Sequence, residues 1–197
     1  MTATTSTRER LLHAAEELID EGGYGAATVV AIAARAGVAT GTLYRHFPSK
    51  EELFVCLFRS VCDREVAAMR SAEAAMPEGS AHVERLITVW GTFARRALRR
   101  PRLAWALIAE PVDPLVDAER LAYRARYSAL TAQALRAGIE AGELPEQDVE
   151  FTAAALVGGC GEALVGPLSP LNPGQPDVEA VLGAQRTFLL RAIGSAV

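Results

Sequence analysis

Residues 28–54 read TVVAIAARAGVATGTLYRHFPSKEELF and contain two short helical patterns separated by a glycine. Thr28 can cap a helix running to about Ala36. Gly37 breaks it, and a second helix follows from about Thr40 to His46, before Pro48. Ser49 can cap a longer one, because Glu51 and Glu52 fall in its first turn, where the helix dipole favours acids. Leu53, Phe54, Leu57, Phe58 and Val61 continue its apolar stripe. In the short pair Ile32, Ala36, Val38 and Leu43 can pack inward, while Thr40, Thr42, Tyr44, Arg45 and His46 offer hydrogen-bonding groups outward, with Lys50 just beyond. Gly41 costs roughly 1 kcal/mol against alanine inside a helix, but without a Cβ it lets the backbone come close to a base edge or phosphate. These are the dimensions of a helix-turn-helix, whose second helix enters the DNA major groove.

Working outward, a supporting amphipathic helix precedes the pair, from about Ser6 to Glu21, with Leu11, Ala15, Leu18 and Ile19 on one stripe and a stop at Gly22-Gly23. Behind it, Met76–Ser80 forms a seam. A helix from Val83 to Leu98 ends in Arg-Arg-Pro, and a short apolar helix runs from Leu103 to Ala109. Asp113-Pro114 opens a long helix reaching Ala141-Gly142, and Pro145 opens another to about Gly166. Pro167, Pro170, Pro173 and Pro176 make a loop, and a last amphipathic helix follows over Val178–Ala192, where Val178, Val181, Leu182, Phe188 and Leu189 make one stripe and Leu190 and Ile193 add apolar surface elsewhere, more than a single core contact uses. Alternating strand patterns are absent, so the expected class is all-α with about nine helices, three short ones at the front.

The same 28–54 stretch resembles the TetR/AcrR family of bacterial transcriptional regulators, and the likeness covers roughly the first sixty residues. Carried over by position, it implies that Thr28 and Lys50 meet phosphates, that Tyr44 and His46 contact the DNA backbone, and that Thr40, Gly41 and Thr42 face base edges, with Arg45 a further contact. The family often has serine where Ala39 stands, so the usual cap of the recognition helix is missing. If Thr40 caps instead, it leaves base reading. The competing bland reading makes Tyr44 and His46 surface residues of a small bundle.

The chain has 197 residues, 50% hydrophobic and 22% charged, enough to bury a core but too few for a large multidomain enzyme. Its net charge of -4 excludes an overall basic field, so any nucleic-acid site must be local. Residues 1–50 hold five basic and five acidic side chains, the acids mostly on the first helix. The odd cysteine count (Cys56, Cys62, Cys160), with no close pair, argues against a disulfide framework and a zinc knuckle; His13, His46 and His82 are scattered. No metal, cofactor or catalytic constellation is expected, since no phosphate-binding glycine loop or nucleophile elbow is present. The first residues reach charge quickly, and no later stretch approaches about 18 uncharged apolar residues, so a soluble, untargeted, cytoplasmic protein without a membrane partner is expected.

In the rear part Trp90, Phe93, Trp105, Tyr123 and Tyr127 either build core or wall an apolar cavity with tyrosine hydroxyls as polar handles. Glu110 and Glu162 either meet a ligand or pair with arginines, Glu110 being the expected charged group at the cavity edge. The run Arg95, Arg96, Arg99, Arg100 and Arg102 reads as cations offsetting a helix C-terminus. Gly158, Gly159 and Gly161 allow close approach of a helix or of a ligand, the helix being simpler.

The expected architecture is a three-helix helix-turn-helix DNA-binding module at 1–48 followed by a six-helix ligand-binding and dimerisation bundle at 49–197. The expected function is a ligand-responsive repressor whose partners are double-stranded operator DNA, a small-molecule effector and a second copy of the chain, joined through the last two long helices. The alternatives are a helical carrier or enzyme whose front module only stabilises it, and a DNA binder answering to another protein.

Overall fold

The computed structural model describes residues 6–172, 174 and 176–195; Pro173 of the proline loop lies outside them. Among the described residues there are nine α-helices and no strand. They are α1 (Thr7–Ala26), α2 (Val29–Arg35), α3 (Thr40–His46), α4 (Lys50–Ala74), α5 (His82–Arg99), α6 (Pro101–Ile108), α7 (Pro114–Glu140), α8 (Val149–Leu168) and α9 (Val178–Ala192).

Local chemistry places most boundaries. Ser6 and Glu9 form a reciprocal capping box at the start of α1. Thr28, Ser49, Asp113, Asp148 and Asp177 each accept a backbone N–H at the start of their helix. Two departures from the sequence reading have clear causes. α1 is not short: it has 20 residues and runs past Gly22 to Ala26, interrupted at Gly23, whose φ of 74° and ψ of -174° only glycine tolerates. α8 starts at Val149 rather than Pro145, because Asp148 is the cap and the Pro145 ring is spent against Gly194, where an added Cβ would lie 2.8 Å from it.

The turn between α2 and α3 is a Schellman motif. Gly37 takes φ 66°, Val38 N–H donates to Ala33 (3.0 Å) and Gly37 N–H to Ala34 (3.1 Å). Arg10 of α1 donates to the Ala36 carbonyl and so pins this turn from behind.

One hydrophobic cluster joins the front helices to the rear: Leu11, Ile19, Ile32, Leu43 and Phe47 are continuous with Leu53, Phe54 and Phe58 of α4, with Leu103 of α6 and with Tyr123 of α7. A second holds Leu86, Trp90, Leu135, Leu156 and Leu189. Leu190 and Ile193, expected as surplus apolar surface on α9, are buried in this second cluster; Phe188 stays 42% exposed. α8 is long and apolar enough to cross a membrane, with a mean hydropathy of 1.4. Glu150 and Glu162 interrupt it, so no stretch of about 18 uncharged apolar residues exists in it, and it buries Ala153, Leu156, Cys160 and Leu164 in the protein core.

Gly23→Ala should destabilise the protein by about 1–3 kcal/mol from its backbone conformation alone, and a Cβ there would also sit 2.5 Å from Arg102 Nη2 and 2.8 Å from Glu110 Oε1. Gly25→Ala, which meets nothing within 4 Å, should stay within about 0.5 kcal/mol of the parent. Thermal unfolding by circular dichroism measures both.

Candidate functional site

Two places in the fold can do chemistry, the outer face of α2–α3 and a cavity among the rear helices. On the first, Leu43 is completely buried, and it holds α3 so that Thr40, Gly41, Tyr44, Arg45 and His46 are exposed, with Thr42 half-buried. Ala39 is the N-cap and offers no side-chain bond; Thr40 is the first helical residue, so it does not take over the cap and its hydroxyl stays on the outer face. Thr28 is exposed, although its Oγ1 already accepts from Ala31 N–H at 3.1 Å. Arg45 donates to Thr42 Oγ1 at 3.0 Å, so two expected contacts hold each other. Lys50 Nζ lies 4.9 Å from the centre of the Phe54 ring. A Cβ built at Gly41 meets nothing within 4 Å, so nothing inside the chain requires glycine there.

The acids of α1 are all engaged elsewhere. Glu9 caps, Glu17 and Glu21 pair with Arg35, Glu16 pairs with Arg64 and Arg100, and Asp20 pairs with Arg100. Their charge is therefore offset behind the exposed face.

The cavity, of about 780 Å³, lies among α1 and α4–α8, within the size range of small-molecule sites. Its apolar wall includes Phe58 and Val61 of α4, Phe93 of α5, Leu107 of α6 and Val157 of α8. Trp90, Phe93 and Tyr127 form a mutual aromatic cluster, with ring centres 5.7–6.3 Å apart. Trp90 is core as well as wall, 2% exposed, and its indole N–H has no hydrogen-bond partner. Burial pushes the Tyr127 hydroxyl strongly up, with no hydrogen bond among the causes. Tyr123 also lines the cavity, but its hydroxyl is committed to Asp63 at 2.9 Å. The three glycines of α8 divide by role. Gly159 underlies the Phe188 ring, where a Cβ would come within 2.8 Å, whereas Gly158 and Gly161 line the cavity with nothing within 4 Å.

Two expected residues are not on this wall. Trp105 packs beside the cluster of Ala94, Leu98 and Leu164. Glu110 turns toward the kink in α1, where its Oε2 lies 3.4 Å from the Tyr24 N–H released by Gly23. Glu162 does line the cavity. What the sequence reading missed is the charged wall: Arg64, Arg96, Arg99, Arg100, Arg120 and Arg124, facing Glu16, Glu65 and Glu162. The signal was there, since Arg96 and Arg100 continue the helical stripe of Trp90 and Phe93. Assigning the arginine run to the end of a helix hid it. The run does make ion pairs, Arg95 with Glu179 and Arg96 with Glu65, but Arg96, Arg99 and Arg100 also line the cavity. Among the described residues no group of histidines, cysteines and carboxylates could hold a metal ion, and burial pushes the Cys62 thiol up to about 12 and the Cys160 thiol up to about 11.

The charged wall is also where α1 meets the rear helices. Glu16 lies 2.7 Å from Arg64 and also bonds Arg100; Asp20 takes Arg100 Nε at 2.9 Å and the Leu103 N–H at 3.3 Å. Burial pushes the Glu16 carboxyl up, but its bonds to Arg100 and Arg64 outweigh that and hold it below the usual carboxylate value. A carboxyl lowered on folding stabilises the protein above its unfolded value, and the gain is lost as pH falls through the folded value. The stability advantage of the parent over Glu16→Gln should therefore be fully present above the ordinary glutamate range and shrink as pH falls below it, as followed by thermal unfolding at a series of acidic pH values.

Comparison with known proteins bears on this arrangement. The family described as "Bacterial regulatory proteins, tetR family" matches residues 11–56, from α1 to the first turns of α4. The chain is 38% identical over 105 residues to the HTH-type transcriptional repressor KstR of Rhodococcus jostii (strain RHA1), covering 53% of this chain and 47% of that protein. It spans about half the length of the KstR proteins it matches. It is 32% identical over 149 residues to the HTH-type transcriptional repressor KstR2 of the same strain, covering 73% of this chain and 71% of the relative. The structure of the transcriptional regulator FadR from Bacillus subtilis, in complex with stearoyl-CoA, superposes with a TM-score of 0.79 at 24% identity over 93% of this chain and 98% of that one, which shows the shared fold. With a helix-turn-helix in the matched segment and a relative similar over most of its length, the chain belongs to the TetR family of bacterial regulatory proteins.

Proposed function

We propose that the protein is a ligand-responsive transcriptional repressor that binds a palindromic operator as a homodimer and is released by a small, largely apolar effector held in the cavity. In this reading residues 1–48 form the DNA-binding unit and residues 49–197 the ligand-binding and dimerisation unit. The observation that carries it is the outer face of α3. Gly41 has no internal reason to be glycine, and it stands among exposed threonine, tyrosine, arginine and histidine side chains on a helix held by one buried leucine. Close approach of an outside backbone is the physical use for such a position. Thr28, Tyr44, His46 and Lys50 serve the phosphates, Thr40, Gly41 and Thr42 the base edges, and Arg45 either. The repressor relatives support this reading.

Dimerisation is assigned to α8 and α9. Phe188 remains exposed beside a shallow groove of Gly183, Ala184 and Thr187, and Phe151 of α8 is 74% exposed. A two-fold axis through these helices would set two copies of α3 about 34–36 Å apart, or a multiple of that, and so require a palindrome.

Tyr44→Ala and Lys50→Ala should weaken binding to operator and scrambled DNA alike, with Lys50→Ala lowering the salt slope by about 1. Thr42→Ala should instead change preference among sequences. Titrations of fragments from the protein's own promoter region at several salt concentrations measure this, and unchanged affinity in all three variants would refute the DNA-binding face. By light scattering at micromolar concentration the parent should be a dimer and Phe188→Asp a monomer; a monomeric parent refutes the assembly.

A further inference from the structure

The charged lining of the cavity and the joint between α1 and the rear helices share three side chains. Glu16, Arg64 and Arg100 all line the cavity, and the Glu16 side chain, 13% exposed, depends on those two guanidiniums to compensate its burial. Arg99 and Arg124 also line the cavity, form no ion pair among the described residues, and are exposed. The rest of the lining is largely aliphatic and aromatic, with Phe58, Val61, Phe93, Leu107 and Val157. A cavity with this division fits a molecule that is apolar along its length and anionic at one end, because guanidinium groups bind carboxylate and phosphate oxygens by paired, charge-assisted hydrogen bonds.

Resting on the cavity being the effector site, we propose that the effector is an apolar chain ending in a carboxylate or phosphate, and that this anion is drawn in by Arg99 and Arg124 and competes with Glu16 and Asp20 for Arg64 and Arg100, unlocking α1 from the α5–α6 corner. Once the guanidiniums turn to the ligand, Glu16 is left desolvated and unpaired. It regains water only if α1 moves off the wall. α1 also carries Arg10, which pins the α2–α3 turn, so its displacement reaches the exposed face of α3. The ligand thus shifts the equilibrium through unequal affinity for the locked and unlocked arrangements, as any effector must. A neutral molecule of the same shape would fill the apolar part and leave the lock closed.

The test uses the full chain carrying Trp105→Phe, so that Trp90 on the cavity wall is the sole tryptophan reporter. Four probes share one chain length and are kept below micelle formation: dodecanoate, dodecyl phosphate, dodecanol and dodecyltrimethylammonium. At least one anion should bind ten-fold or more tightly than the alcohol, with the cation weakest; the tighter of the two anions identifies the head group. Arg124→Gln, at an exposed position, should weaken the anions about ten-fold and the alcohol much less. Glu16→Gln, which removes the competitor, should tighten the anions several-fold, an effect a merely structural glutamate would not produce. Amide hydrogen exchange along α1 should rise with a bound anion and not with dodecanol. Equal affinity for anion and alcohol, preference for the cation, no binding of any probe, or anion binding without faster exchange in α1 would each overturn the proposal. None of these readouts involves DNA, so failure to bind operator would overturn the repressor reading and leave this result standing.

Discussion

Arg100 stands where α5 ends and α6 begins, and its guanidinium reaches across to Glu16 and Asp20 of α1. The contact sets how the front helices sit on the rest. Asp20 also accepts the Leu103 N–H in the first turn of α6, Arg102 donates to the Gly22 carbonyl at 3.0 Å, and Glu110 meets the Tyr24 N–H. These ties hold α1 at both ends of α6, and between them Leu103 and Ala106 join the core of α1 and α4. Removing one partner here would leave a half-buried charge without compensation, the expensive way to break an ion pair.

The consequence is a chain whose front helices cannot be moved independently of the cavity. α1 contributes His13 and Glu16 to the cavity wall and Arg10 to the α2–α3 turn. α4 contributes Phe58 and Val61 to the cavity and, through Leu53 and Phe54, to the core under α3. Two elements therefore touch both places: α1 and α4 share the apolar core under α3 and meet at the Glu16–Arg64 ion pair beside the cavity. An apolar contact responds to shape alone and an ion pair responds to charge, so in the proposed mechanism the contact of Glu16 with Arg64 and Arg100 is the one that distinguishes an anion from a neutral molecule.

Sequence reasoning worked best where one residue decides a local structure. Gly37 between two short apolar patterns, Thr28 and Ser49 ahead of helices, and Asp113-Pro114 each act on the backbone within a few residues, so their effects are visible in one dimension. It worked less well where the deciding partner is remote. Pro145 looked like a helix start because its contact with Gly194 is invisible along the chain. Glu110 looked like a cavity acid because nothing nearby in sequence shows the N–H that Gly23 releases. Leu190 and Ile193 looked like surplus surface because one helix has two apolar sides only when two neighbours bury it.

By itself, then, the sequence determined the all-α class, the helix-turn-helix and the outward set on α3, since periodicity, caps and a left-handed glycine are short-range constraints. Tertiary structure alone decided which arginines face a cavity and which acids they meet. Arg96 and Arg100 share a stripe with Trp90 and Phe93, but Glu65 lies 31 positions away from Arg96 and Glu16 lies 84 away from Arg100. Pairing over such separations depends on how α1, α4 and α5 pack, and that packing follows from buried apolar area summed over the whole core rather than from any local pattern.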